Sequence, residues 1–230
     1  MPRTATHRFE TMGDVLEQLG GIDPRRVRVQ PAPGRATERD LVRLLQRSGR
    51  LCELVDGILV EKPMATRESF LAVRLAYFLQ HFNQDKFGII LGADGAVRLM
   101  PGLVRVPDVS FTTWDRLPVR GEVPDEPVAS LAPDLAVEVL SEGNTPAEMR
   151  RKLKESFLSG VRLVWFVDPR ARTVRVFTAP DQSVTMAEGA TLGGGEVLPG
   201  FTLSVSAIFQ QLPAKPGKRR HPRRADKGSA

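Results

Sequence analysis

The segment Ala132–Ser141, APDLAVEVLS, predicts a buried β-strand that carries a carboxylate in its middle. Alternate residues of a strand share one face, so Glu138 lies on the face of Ala136 and Leu140. The opposite face is purely apolar. A buried carboxylate without a partner costs several kcal/mol or takes up a proton. We therefore expect a positively charged group, often a metal ion, opposite Glu138.

A second acidic residue, Asp108, follows a short apolar strand in the segment VRVPDVSF, where Pro107 keeps the backbone extended. Two carboxylates at adjacent strand ends, together with main-chain carbonyl groups and water, form the kind of oxygen site that Mg²⁺ or Mn²⁺ prefers. We therefore predict that Asp108 and Glu138 hold one of these ions. In the alternative interpretation, Asp108 is a turn residue and Glu138 forms a salt bridge with Lys152 without any metal.

Two lysines follow the strand of Glu138. The segment RRKLKESF places Lys152 and Lys154 on a helix that is expected to pack beside that strand. A lysine near a metal-bound water can orient the water or stabilise the charge that develops on a phosphate. Among the acidic residues, Glu68 at the start of a long helix is a supporting candidate. Glu53, in CELVDG, is another, although a hairpin residue at that place is expected to face solvent.

The rest of the pattern predicts a single α/β domain with mixed strands and helices on both sides. Apolar and polar residues alternate in LCELVDGILVEKP around Asp56-Gly57, a strong signal for a two-residue β-hairpin. Helices are predicted from Thr37 to Leu45, from Glu68 to Phe82 and from Pro146 to Ser159, the last ended by Gly160. We assign residues 1–36 to a loosely organised segment, residues 37–212 to the domain and residues 213–230 to a basic tail that is predicted to be disordered.

The composition excludes several kinds of site. A lone cysteine, Cys52, rules out an internal disulfide framework and suits a reducing cytoplasm. Three widely spaced histidines rule out a zinc site of the Cys/His type. No apolar run approaches the roughly 20 residues that a membrane helix needs. We therefore expect a cytoplasmic protein without a membrane partner.

The net charge of +6 resides in the C-terminal tail. Residues 215–230 contain seven of the 33 basic residues and one of the 27 acidic residues, so the remaining chain has 26 of each and is neutral. Such a basic arm binds phosphate backbones without sequence preference, and salt weakens the binding. A solubilising tail without a dedicated partner is the alternative.

Five segments along about residues 40–209 resemble the Uma2 family of restriction endonucleases, within the PD-(D/E)XK nuclease superfamily. They are CELVDGILVEKP, VRVPDVSF, APDLAVEVLS, NTPAEMRRKLKESFLSGVRLVWFVDP and LGGGEVLPGFTLSVSAIF. The resemblance implies a restriction-endonuclease-like fold, in which helices flank a mixed central β-sheet. The PD motif falls on Pro107 and Asp108, and the second acid of the superfamily falls on Glu138.

The sequence departs from the superfamily pattern at Leu140, which occupies the position of the usual strand lysine. In the Uma2 pattern the lysine is expected on the next helix, where this chain has Lys152. The family usually has tyrosine at the positions of Cys52 and Ser156. Lys152 is therefore the predicted catalytic lysine.

The resemblance implies an Mg²⁺- or Mn²⁺-dependent endonuclease that hydrolyses phosphodiester bonds of nucleic acid, with DNA as the expected substrate. The metal would activate a water molecule that Lys152 positions. Cutting both strands of a duplex needs two sites, which a homodimer would supply. Two other functions stay open: a noncatalytic nucleic-acid-binding or regulatory protein on a degenerate nuclease fold, and a structural domain whose acidic residues are only salt-bridged.

Overall fold

The structure is a computed structural model that describes residues 9–48, 50–63 and 65–213. The basic tail that is predicted to be disordered lies outside the described residues from residue 214 onward. Five α-helices are present in the described part: α1 Met12–Gln18, α2 Glu38–Ser48, α3 Thr66–Asn83, α4 Pro146–Leu158 and α5 Val205–Phe209. The strands are β1 Cys52–Val55, β2 Ile58–Glu61, β3 Gly88–Leu91, β4 Val97–Met100, β5 Leu103–Arg105, β6 Val109–Thr113, β7 Leu135–Val139, β8 Leu163–Asp168, β9 Thr173–Ala179, β10 Gln182–Ala187, β11 Thr191–Gly194 and β12 Leu198–Ser204.

The strands form a central mixed sheet and two smaller sheets. The central sheet has the order β10-β9-β8-β7-β6-β3. Its strands β7 and β8 pair in parallel, and all other neighbouring strands of this sheet pair antiparallel. A four-stranded antiparallel sheet has the order β2-β1-β5-β4, and β11 pairs with β12. The predicted mixed α/β architecture is confirmed, and the structure adds that the hairpin strands belong to a sheet of their own.

Helices cover both faces of the central sheet, as predicted. Leu71, Leu75 and Leu79 of α3 pack against the face of the sheet that carries Leu135, Val137 and Val139 of β7. On the opposite face, α4 packs against Ala136 and the apolar residues around it. Each fully buried leucine contributes roughly 1.5–3 kcal/mol relative to an exposed one. Because Glu138 shares a face of β7 with Ala136, its side chain is directed toward α4.

The predicted turn and helix signals operate where the chain approaches the site. Asp56 and Gly57 both have positive φ, 51° and 73°, which the tight turn between β1 and β2 requires. Thr145 caps α4 by accepting a hydrogen bond from the backbone N–H of Glu148, and the helix ends before Gly160, whose φ is 94°. These signals fix the direction in which β2 and α4 point their polar side chains.

The segment that precedes residue 37 packs against the β1–β2 hairpin. Val15, Leu19 and Ile22 are buried in one cluster with Val55 and Ile58. No helix in the described part of the chain combines the length and the apolar character that crossing a membrane requires.

The chain crosses from the four-stranded sheet to the central sheet within a short link, residues 106–108, between β5 and β6. The backbone N–H of Asp108 donates to the carbonyl of Val137 at 3.0 Å, so the end of this link is attached to β7. Side chains from both sheets and from α4 meet at the crossing. This place in the fold holds the candidate site.

Candidate active site

The side chain of Asp108 is held at the crossing by two contacts. Its Oδ2 accepts a hydrogen bond from the backbone N–H of Val139 at 2.6 Å, and its Oδ1 lies 2.8 Å from Nζ of Lys62. The residue is 8% exposed. The carboxylate therefore lies directly beside β7, next to the residue that precedes Val139 in the chain, Glu138.

Glu138 and Lys152 form an ion pair between β7 and α4. Nζ of Lys152 lies 3.3 Å from both carboxylate oxygens of Glu138 and 3.0 Å from Oε1 of Glu53. Glu148, Lys152 and Glu155 are buried at helical spacing on one side of α4, so this helix presents a charged stripe to the crossing. The structure brings the three predicted catalytic residues, including Asp108, into one cluster.

The interpretation of Glu53 as a solvent-facing residue is wrong. Glu53 is 1% exposed, and its carboxylate accepts from Nη1 of Arg105 at 2.7 Å as well as from Lys152. All four residues of β1 are buried, because α2 and the apolar cluster around Leu41 cover the side of Cys52 while α4 lies toward Glu53. A strand that is covered on both faces lacks the alternation from which solvent exposure is inferred.

Sequence reasoning missed three charged residues of the cluster: Lys62, Arg105 and Glu155. Lys62 contacts Asp108, and Arg105 donates to both Glu53 and Glu155, with Nε of Arg105 2.9 Å from Oε2 of Glu155. The sequence does contain a signal for Arg105, because it interrupts the apolar run LVRV in the same way that Glu138 interrupts its strand. No comparable local signal marks Lys62, which follows β2 beside a proline.

The remaining supporting candidates occupy other places. Lys154 is exposed on the outer side of α4. Glu68 lies in the first turn of α3, and its Oε2 is buried without a hydrogen-bond partner among the described residues. Glu68 lines a cleft of about 680 Å³ together with Leu140, Asn144 and residues of the β8–β9 turn. Because Leu140 shares a face with Glu138, the cleft adjoins the cluster.

Burial and charge pairing shift the pKa values of the cluster in opposite directions. Burial raises the pKa of Glu138 above the ordinary value, with Lys152 and Lys62 opposing the shift. Burial alone would lower the pKa of Lys152, but the carboxylates of Glu138 and Glu53 outweigh it and raise that pKa. Burial would raise the pKa of Glu53, but Lys152 and Arg105 outweigh it and lower that pKa well below the usual range. Lys152 is therefore an ammonium group at neutral pH.

The donor set fits a hard divalent ion. Among the described residues, no three His, Cys, Asp or Glu side chains converge into a ready-made metal site. Mg²⁺, however, is commonly held by one or two carboxylates and keeps several waters. Asp108 and Glu138 supply such a pair of carboxylates, and the partnerless Oε2 of Glu68 is a further oxygen in the adjoining cleft.

Comparisons with known proteins agree with this architecture. The sequence matches the model of one protein family, Uma2, described as "Putative restriction endonuclease", over residues 39–206. A solved structure described as a "putative nuclease belonging to DUF820" from Anabaena variabilis is similar, with a TM-score of 0.62 and 18% sequence identity. The similarity covers 70% of this chain and 91% of that chain, and at this identity it shows a common fold. None of the curated proteins matches the sequence significantly.

Proposed function

Because the chain belongs to the Uma2 family, we propose that it is a metal-dependent endonuclease that hydrolyses phosphodiester bonds in DNA. The observation that carries the proposal is the convergence of Asp108, Glu138 and Lys152, from three separate parts of the chain, on one buried cluster. The family description as restriction endonucleases favours DNA over RNA. A homodimer and a cytoplasmic location stay predictions of the sequence.

In this proposal Asp108 and Glu138 hold Mg²⁺ or Mn²⁺. When bound, such an ion supplies a polarised water at neutral pH and offsets negative charge on the phosphate. Asp108 is suited to the task because the backbone N–H of Val139 fixes the orientation of its carboxylate. A ligand that is fixed before the metal arrives loses little freedom on binding.

Lys152 acts as a donor of hydrogen bonds and positive charge. Its raised pKa means that the proton stays on Nζ at neutral pH, so Lys152 does not remove a proton from the attacking water. Instead, Nζ orients the water or stabilises the extra charge on the phosphate oxygens as the bond to phosphorus forms. Glu53, which Arg105 holds in place, would keep Lys152 at the site if Glu138 held the metal ion.

The cleft beside the cluster is the proposed approach for the substrate strand. Arg67, Asn144 and Arg170 line it, and they provide donors for phosphate oxygens. The basic tail at residues 215–230 would add nonspecific attraction, which salt weakens. Deleting the tail is then expected to reduce DNA affinity and its salt dependence without abolishing cleavage, as binding and turnover assays at several salt concentrations would measure.

One observation favours the alternative of a noncatalytic protein on the same fold. Glu138 and Asp108 each already contact a lysine, and Leu140 replaces the usual strand lysine. In that case the cluster acts only as a set of buried salt bridges. The two functions differ in whether the carboxylates bind a metal ion and whether Lys152 affects turnover.

The proposal is tested by comparing Lys152→Met with Lys154→Met, a control two residues away on the exposed side of α4. With Mg²⁺ or Mn²⁺ and mixed single- and double-stranded DNA, we expect Lys152→Met to lose cleavage by roughly 10²- to 10³-fold, as for other positioned donors. Lys154→Met is expected to match the wild type. Calorimetric titration of Mn²⁺ should show binding by both lysine variants and none by Asp108→Ala.

Two results would contradict the proposal. One is a folded wild-type protein that binds no Mn²⁺ in the titration. The other is a Lys152→Met variant, folded by circular dichroism, that cleaves DNA as fast as the wild type.

A further inference from the structure

Lys62 is a buried cation that the proposed mechanism does not use. It directly follows β2, where its backbone N–H donates to the carbonyl of Leu51 at 2.9 Å. Its Nζ lies 2.8 Å from Oδ1 of Asp108 and 2.6 Å from the carbonyl oxygen of Val106. The side chain is 8% exposed. The ammonium group is therefore held inside the protein at the crossing between the two sheets.

Both partners of the Lys62 ammonium are oxygens of the type that bind divalent ions, one carboxylate and one backbone carbonyl. The second oxygen of Asp108 is occupied as well, because it accepts from the backbone N–H of Val139 at 2.6 Å. A cation that approaches Asp108 thus meets a carboxylate whose two oxygens are both engaged. The oxygen bound by Lys62 is the one that a side-chain movement can free.

The charge balance of a metal-bound cluster depends on whether Lys62 stays. Three cationic side chains face four carboxylates there: Lys62, Arg105 and Lys152, against Glu53, Asp108, Glu138 and Glu155. Arg151, which also contacts Glu155, has Asp56 as its own partner at the edge. A divalent ion added beside Lys62 would leave the buried cluster with surplus positive charge, whereas an ion that replaces Lys62 balances it. Buried charges are stable only when they are matched.

We propose that Lys62 is an internal counter-ion that occupies Asp108 in place of the metal ion, so that a divalent ion binds only when Lys62 leaves Oδ1. The inference rests on the proposed metal-dependent function and adds a competitor within the chain itself. Lysine suits this role because its ammonium is a compact charge on a flexible four-carbon stem. Lys62 thus lowers the affinity of the site for metal and stabilises Asp108 while the metal is absent.

The inference is tested by calorimetric titration of Mn²⁺ into the full-length wild type, Lys62→Met, Lys154→Met and Asp108→Ala. We expect Lys62→Met to bind Mn²⁺ at least tenfold more tightly than the wild type, because the competing ammonium is gone. Lys154→Met should bind as the wild type does, and Asp108→Ala should show no binding. Equal or weaker binding by folded Lys62→Met, beside normal binding by the wild type, overturns this inference and leaves the proposed function intact. Absence of binding in both proteins overturns the metal site itself.

A second measurement needs no substitution at the site. Reductive methylation followed by mass spectrometry reports how accessible each lysine amine is in the wild-type protein. Lys62 should react slowly in EDTA and at least several-fold faster in saturating Mn²⁺, while the exposed Lys154 reacts at one rate in both. An unchanged rate at Lys62 in protein that has bound Mn²⁺ would overturn the inference.

Discussion

Glu53→Gln is expected to destabilise the protein far more than Glu138→Gln, although both remove one negative charge from the same cluster. Glu53 is 1% exposed and accepts from Lys152, from Arg105 and from the backbone N–H of Val106. An amide at this position offers one acceptor oxygen to these three donors and places its own N–H groups against cations.

The magnitude follows from the contacts. Removing one partner of a buried ion pair costs about 3–5 kcal/mol, because the other charges stay buried without compensation. A protein of this size loses about 2–4 °C of melting temperature per kcal/mol, so Glu53→Gln should melt about 6–20 °C below the wild type. Glu138 differs because burial raises its pKa, which means that the ionised carboxylate is less stable in the native protein than in the unfolded chain. Glu138→Gln should therefore melt at the wild-type temperature or above it at pH 7.

The pH dependence separates the two residues further. In the native protein the pKa of Glu53 lies below its ordinary value of 4.5. The contribution of the Glu53 carboxylate to stability is therefore complete above about pH 4.5 and is lost as the pH falls below that value. The gap between wild type and Glu53→Gln should narrow in acid. The assay is thermal unfolding by circular dichroism in EDTA between pH 4 and pH 8. A Glu53→Gln protein that melts within 2 °C of the wild type at pH 7, or a Glu138→Gln protein that falls equally far, would refute this account of the cluster.

Two further pairs of variants test the support of the site by urea unfolding. Gly57→Ala should destabilise the protein clearly more than Gly102→Ala. Both glycines have left-handed φ, which costs other residues roughly 1–2 kcal/mol, but of the two only Gly57 would bring a Cβ against the backbone of a neighbouring segment, at 2.6 Å. Equal losses of stability would show that this close approach does not matter. Arg26→Met should lower the free energy of unfolding by about 3–5 kcal/mol, because Arg26 forms a buried two-point ion pair with Glu148 of α4. Arg25→Met, on the surface, should leave stability unchanged. Similar unfolding curves for both variants would show that the pair of Arg26 with Glu148 does not stabilise the protein.

The sequence sufficed to place those residues of the candidate cluster that local patterns mark. Asp108 and Glu138 were predictable because each adjoins or interrupts an apolar strand, and the Asp56-Gly57 turn and the start of α4 follow from local backbone chemistry. Lys152 was predictable from the resemblance to a family. These predictions depend on a few neighbouring residues or on a known motif.

The parts that failed depend on contacts between distant segments. The exposure of Glu53 depends on α4, which begins about a hundred residues later, and no period within CELV reports such a cover. Lys62 reaches Asp108 only because the four-stranded sheet meets the central sheet at the link after β5. The alternation of apolar and polar residues within one sheet does not report how that sheet packs against another. The counter-ions of Asp108 and Glu53 therefore had to be found in the structure, whereas the pairing of Glu138 with Lys152 was one of the interpretations of the sequence.

Lys152 contacts Glu53 in the four-stranded sheet and Glu138 in the central sheet, and this bridge bears on how such a protein can evolve. Losing Lys152 or Glu53 alone leaves buried charges unmatched, whereas exchanging the whole cluster for well-packed apolar residues can be neutral or stabilising. Losing the cluster through Lys152 or Glu53 first therefore passes through strongly destabilised intermediates, whereas the protein that has replaced the whole cluster need not be less stable. Descendants of such a chain are expected to keep the entire charged cluster or to have replaced it together, with few lineages in between.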